Sequence, residues 1–185
     1  MIWITDSLHL SYFQYYICDF DVSPDVETLF KIHHGNSLVA AGPGHLTVMG
    51  GTHTGNVRLT IDECDVEPTL NLEAWEVVVD ISHYSTNGET CLMQWGANAV
   101  LDAGVLSHVG RGWYRVRVQA RGRDEAMKHS TVLGEPIEEH AIGIWPAPPA
   151  PEHVHKIGDN FGRGIWDSSS PPTPPVYPEL EDDEI

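Results

Sequence analysis

The stretch Glu73-Ala74-Trp75-Glu76-Val77-Val78-Val79-Asp80-Ile81-Ser82 alternates with a period of two: Trp75, Val77, Val79 and Ile81 share one side, and Glu76, Asp80 and Ser82 the other. Successive side chains of an extended strand point to opposite faces, whereas a helix repeats its apolar positions every three to four residues. The stretch is therefore a strand with one face in a core. Asn87-Gly88 follows, the dipeptide most favoured in tight hairpin turns. A strict two-residue loop would set Gln94 opposite Ile81 and mix the faces. Shifting by one residue aligns Trp95 with Ile81, which predicts a bulge or a longer loop before the next strand.

The same period recurs on both sides of this stretch. In 8–17, Leu8, Leu10, Tyr12, Gln14 and Tyr16 alternate with His9, Ser11, Phe13, Tyr15 and Ile17; further strand-like runs lie at 45–49, 56–62, 90–95, 113–119 and 140–145. One helix is expected after Ser23, which can cap it. Pro24 suits the first turn, Asp25 and Glu27 complement the dipole, Val26, Leu29 and Phe30 form a short apolar stripe, and Gly35 can end it. About seven strands, glycine-rich connections and one short helix predict a mainly β fold, an antiparallel β-sandwich or partly open barrel.

The chain has 185 residues, enough for one domain plus a tail, and 41% of them are hydrophobic, enough for a core. The composition changes near Trp166: from Asp167 onward there are five prolines, six acids and no base. Such a segment buries too little apolar surface to offset its ordering entropy, so residues 1–166 are expected to form the β domain and 167–185 a disordered acidic tail. A second proline cluster, Trp145-Pro146-Ala147-Pro148-Pro149-Ala150-Pro151, must run extended. With 27 acids against 10 bases the formal net charge is −17, which repels nucleic-acid backbones and anionic membranes. No apolar run approaches the roughly 20 residues that span a bilayer. Met1 to Asp6 lack the basic start and apolar region of a signal peptide, and Cys18, Cys64 and Cys91 lie far apart without a CxxC. A cytoplasmic protein without a disulfide framework is expected.

Six of the ten bases, Arg111, Arg115, Arg117, Arg121, Arg123 and Lys128, fall within eighteen positions. In the run 113–119, Trp113, Arg115, Arg117 and Gln119 share a face. Guanidinium forks there suit an anion-recognising strip; equally, they can pair with the chain's own abundant acids. Trp113, Arg115, Arg117, Arg121 and Arg123 are candidate partner- or ligand-binding residues on the first reading. The histidines invite a metal, above all His33-His34 and His153-Val154-His155, but neither pair has a carboxylate or cysteine at a recognised ligand spacing, and no HExxH is present. No metal or other cofactor is expected. Nor is there a GxSxG elbow, and the cysteines sit in strand-like runs or beside acids, where an inert thiol is expected. The acidic run Asp62, Glu63, Asp65 and Glu67 lacks the glycine and terminal glutamate of a calcium loop. Gly42-Pro43-Gly44 and Gly50-Gly51 read as turns rather than phosphate cradles.

Both faces of the run 8–17 carry aromatics, and only one can be core. Phe13 and Tyr15 are therefore either covered by the proline-rich segment or exposed as a binding surface, and they join the candidates.

Two stretches resemble known sequences. Gly112-Trp113-Tyr114-Arg115-Val116-Arg117-Val118-Gln119-Ala120-Arg121-Gly122-Arg123-Asp124, with Ile144-Trp145-Pro146-Ala147-Pro148, resembles a motif pair of uncharacterised actinobacterial proteins. Leu8-His9-Leu10-Ser11-Tyr12-Phe13-Gln14 and the strand entry at Tyr114 resemble the competence protein J family, whose members are small acidic proteins that bind and inhibit a partner nuclease. The resemblance transfers no functional residue. The acidic body and tail, the lack of a catalytic constellation and the aromatic-rich sheet point to a non-enzymatic inhibitor or immunity-type partner of a basic protein such as a nuclease or toxin. The alternative is a β-sandwich module in which Trp and Tyr stack on a glycan or small ligand while Arg115 and Arg117 fix an anionic group.

Overall fold

A computed structural model of the chain describes residues 1–96, 98–129 and 131–177. In chain order its elements are strands β1 (Ile2–Ser11) and β2 (Gln14–Asp19), helix α1 (Glu27–His33), β3 (Val39–Gly42), β4 (His45–Met49), β5 (Thr54–Glu63), β6 (Val77–Ser85), β7 (Thr90–Gln94) and β8 (Asn98–Ala99). A single 3-10 turn (Leu101–Ala103) precedes β9 (Gly112–Arg121), α2 (Arg123–Ala126), β10 (Glu139–Pro146), β11 (His153–Ile157) and α3 (Asn160–Ile165). The protein is mainly β, as the two-residue periods predict.

The strands form one curled, partly open sheet in the order β11-β6-β9-β10-β5-β1-β2-β4-β3, with β7 also on β2 and β8 on β7. Among the described strands, every ladder is antiparallel except that of β5 with β10. The link between β1 and β2 is the single register pair Ser11↔Gln14. Beyond it the two strands part, β1 to pair with β5 and β2 to pair with β4 and β7. The sheet thus folds over at this corner. Its two halves trap one apolar core containing Leu8, Tyr15, Ile17, Leu46, Val57, Leu59, Val77, Val79, Tyr114 and Val118. Val77, Val79 and Ile81, placed on one face by the sequence, all lie in it.

Three expectations change in detail. The run 8–17 is two strands rather than one, because the chain reverses at Tyr12 and Phe13. The Asn87-Gly88 turn does not close a hairpin. β6 pairs with β9 and β11 while β7 pairs with β2, so the turn carries the chain from one half of the sheet to the other. Asp19 receives that crossing: its carboxylate accepts from Ser85 Oγ at 2.9 Å, from Thr86 Oγ1 at 2.7 Å and from Thr90 Oγ1 at 2.5 Å. Finally, α1 starts at Glu27 and not beside Ser23; Thr28 N bonds to Asp25 Oδ1 instead.

The outer face of β6 and β9 is covered by the chain itself. Ser82 Oγ donates to Ala150 O at 2.9 Å and Ala147 N donates to Trp113 O, so the proline-rich segment lies over these strands. Pro68, in the loop between β5 and β6, receives Arg117 Nη1 at 2.7 Å. Residues 167–177 run across the body without helix or strand. Thr173 O accepts from Glu152 N, Val176 packs on the core, and Tyr177 meets Trp113 with ring centres 5.1 Å apart. The rest of the acidic tail, 178–185, lies outside the described residues.

Candidate binding surface

The β1–β2 corner is a two-residue turn built from Tyr12 (φ 54°) and Phe13 (φ 68°). Two positive φ angles are the signature of the hairpin turn whose twist matches the flanking strands, normally supplied by Asn-Gly. Here two aromatic residues occupy it. A Cβ in the left-handed region crowds the backbone, at about 1 kcal/mol per residue.

What is displayed is an aromatic cluster. Tyr12 is 57% exposed, and its ring lies 5.1 Å from Trp95, itself 46% exposed, and 5.6 Å from His53. Phe13 meets His53 edge-on at 4.7 Å, and its N–H donates to His53 O at 3.1 Å. Phe13, His53 and the exposed Met127, with Lys128 and His129, line an open hollow of about 450 Å³. The turn, the β4–β5 loop, the end of β7 and the residues after α2 thus meet at one place.

A buried polar column holds the β4–β5 loop in position. Glu138, wholly enclosed, accepts from Gly51 N at 2.9 Å and from Thr52 N and Thr52 Oγ1 at 2.8 Å each. Its other partner is His140 Nε2 at 2.7 Å, and His140 Nδ1 lies 3.0 Å from Tyr15 Oη. Burial pushes the Glu138 carboxyl up, but His140 and the Gly51 and Thr52 donors outweigh it and hold the group below its ordinary value. Burial, aided by the Glu138 charge, raises the Tyr15 hydroxyl well above the usual phenol value, so it stays a neutral hydrogen-bonding group. Arg123 supports the same loop from the other side. Its Nε bonds to Asp159 Oδ2 at 2.6 Å, its Nη1 donates to Ser37 O at 2.6 Å, and its own backbone packs so tightly on Gly51 that a Cβ there would lie 2.2 Å from Arg123 O.

The residues singled out from the sequence are therefore dispersed. Phe13 is at the surface just described, and Tyr15 and Arg123 lie beneath it. Arg117, 1% exposed, forms a two-pronged pair with Asp80 (2.8 and 2.9 Å) and reaches Glu67 at 2.7 Å. Arg115 donates to Ser82 Oγ and Ala150 O, both at 2.9 Å, under the proline segment. Arg121 is half exposed, bonds to Glu139 Oε2 at 2.6 Å and stacks over Trp75. Trp113 lies at a different place, between Tyr84 and Tyr177. Arg115, Arg117, Arg121 and Arg123 thus each bond to acids, hydroxyls or carbonyls of the protein itself. Tyr12, His53, Trp95 and Met127 were not singled out; the signal that points to Tyr12 is the lack of a turn-forming residue at a strand reversal.

The cysteines are free, and burial pushes the Cys18 thiol up to about 12 and the Cys64 thiol up to about 11, away from reactive thiolate. Among the described residues no helix is long and apolar enough to cross a membrane.

No known protein family matches the chain, and no curated protein does. Two solved structures are similar to it in shape. One is ComJ, inhibitor of the DNA degrading activity of NucA, from Bacillus subtilis. The two chains are 15% identical, and the match covers 80% of this chain and 99% of ComJ with a TM-score of 0.47. The other is the crocagin biosynthetic gene J protein, at 18% identity, covering 80% and 98% of the two chains with a TM-score of 0.46.

Proposed function

We propose that this is an acidic binding protein of the inhibitor or immunity type, which captures a basic protein such as a nuclease or toxin through the hairpin-corner surface. The observation that carries the reading is the pair Tyr12 and Phe13, held in left-handed backbone to present an exposed aromatic cluster on a body of net charge −17. Large, rigid aromatic rings supply most of the energy of many protein interfaces, and a negative field speeds encounter with a cationic partner. The sequence resemblance of 8–14 to the competence protein J family points in the same direction. A cytoplasmic setting suits the free cysteines.

The experiment is capture by the immobilised full chain and by its Trp95→Ala variant, from native lysate at about 0.05 M and about 0.5 M salt, since exposed charges separated by more than a Debye length are screened at the higher value. A basic protein retained at low salt by the parent chain, and held at least tenfold less by the variant, is the expected outcome; its nuclease or toxic activity should fall on binding. Equal retention by both chains, or recovery of no basic protein, refutes the reading.

A further inference from the structure

A second hollow lies well apart in sequence from the aromatic corner, where residues 166–173 bridge over the start of β11. It holds about 290 Å³, near the lower end of the size of small-molecule sites. Glu152, Asp167, Trp166, His34, His153 and Thr173 are among its lining residues, and the Asp167 carboxylate also accepts from Ser169 N and Oγ at 2.9 and 2.8 Å. The bridging segment is tied at the far side by the bond from Glu152 N to Thr173 O at 2.8 Å, and Ser170 N bonds to Asp167 O at 3.0 Å.

Two features of this lining select a ligand class. Among the described residues no group of three or more His, Cys, Asp or Glu is placed to hold a metal ion. An aromatic face combined with separated carboxylates suits a cation with an organic body, which the ring attracts through its negative face while the acids pair with the charge. We propose that this hollow is a binding site for an organic cation carrying an alkylammonium or guanidinium head, with Glu152 and Asp167 as counter-ions and Trp166 as the stacking wall. Glu152 fits that role: its carboxyl is largely enclosed, no Lys or Arg among the described residues pairs with it, and burial pushes it up despite bonds from Asn36 and Thr173. A bound cation supplies the missing opposite charge. The ligand is either a free small amine or a basic side chain of a protein, since both present the same head. The proposal is independent of the hairpin-corner reading, and its failure leaves that reading intact.

The test is a titration of the full chain with putrescine, with ethylguanidinium and with an end-blocked peptide containing one lysine, followed by heteronuclear NMR at the Trp166 indole N–H and the Thr173 amide. Neutral 1,4-butanediol is the control. Saturable shifts at these two residues with the cations and none with the diol are expected, with affinity reduced at least tenfold in Glu152→Gln. Trp166→Leu, which leaves the carboxylates in place, should weaken binding by several-fold and shows that loss in the first variant is not loss of fold. Binding of putrescine or ethylguanidinium but not of the peptide assigns a free amine; binding of the peptide assigns a protein side chain. Absence of saturable shifts with all three cations, equal shifts with the diol, or unchanged affinity in both variants overturns the proposal.

Discussion

Tyr12 shows how a single residue ties the fold to the function proposed for it. Its φ of 54° is one that glycine adopts without strain, and its ring is more than half exposed, so little packing energy offsets the crowding of its Cβ. Replacing Tyr12 by Gly should change stability by less than about 1 kcal/mol in urea unfolding, because relief of the left-handed backbone strain is offset by the greater freedom glycine gives the unfolded chain. The same change should weaken capture of the basic partner. If Tyr12→Gly costs more than about 2 kcal/mol, beyond the entropy of glycine, the ring contributes packing to the corner and its display is not the reason for its presence.

At the scale of elements, the β6–β9 ladder sets Asp80 opposite Arg117, and the loop carrying Glu67 and Pro68 closes over them. Burial pushes the Asp80 carboxyl up, but Arg117 and His155 Nε2, 2.9 Å away, more than offset this and hold it below the usual carboxylate value. Removing Asp80 leaves the buried Arg117 guanidinium with only the exposed Glu67 carboxylate and the Pro68 carbonyl. Asp80→Ala should cost about 3 kcal/mol or more, read as a lower denaturation midpoint, and Asp80→Ala with Arg117→Met should recover a large part of it, since removing both charges leaves none unpaired. A double variant no more stable than the single one contradicts this account. The arginines also show the reach of sequence reading at this scale. Alternation placed Arg115 and Arg117 together on the outer face of one strand, which is where they are. Whether that face meets solvent depended on two long connections with no periodicity of their own, the loop between β5 and β6 and the proline segment, and these fold over it.

At the scale of the whole molecule, the chain passes between the two halves of the sheet at several places, among them the β1–β2 corner and the crossing from β6 to β7. His83 sits wholly buried at that crossing, with Nε2 3.1 Å from Thr90 Oγ1 and 3.9 Å from the Asp19 carboxylate. Burial lowers its pKa to about 4, against the opposing pull of Asp19. The unfolded chain, where the imidazole has its ordinary value near 6.5, therefore binds the proton more readily than the folded one. The contribution of His83 to stability should be constant above about pH 6.5 and fall as the pH drops toward 4, by up to about 3 kcal/mol. His83→Gln should flatten that part of the profile in thermal unfolding. An unchanged slope between pH 6.5 and 4 would place the acid sensitivity elsewhere.

The sequence by itself determined the class of fold, the face of each well-patterned strand that enters the core, the inertness expected of the thiols and the sign of the molecule's field. These follow from periods of two and from charge counts, which are local or additive quantities. Only the tertiary structure decided that the run 8–17 reverses on itself, that Asn87-Gly88 links two half-sheets, and that Tyr15 lies beneath a surface while Tyr12 forms part of it. Strand pairing joins residues far apart in the chain, such as Asp19 with Thr90, and the two-residue reversal brings even-numbered Leu8 and Leu10 into the same core as odd-numbered Tyr15 and Ile17, a switch of face that a run with apolar residues on both sides does not reveal. The physical reason is that a period states which side chains share a face, whereas what covers that face is settled by the packing of the rest of the chain.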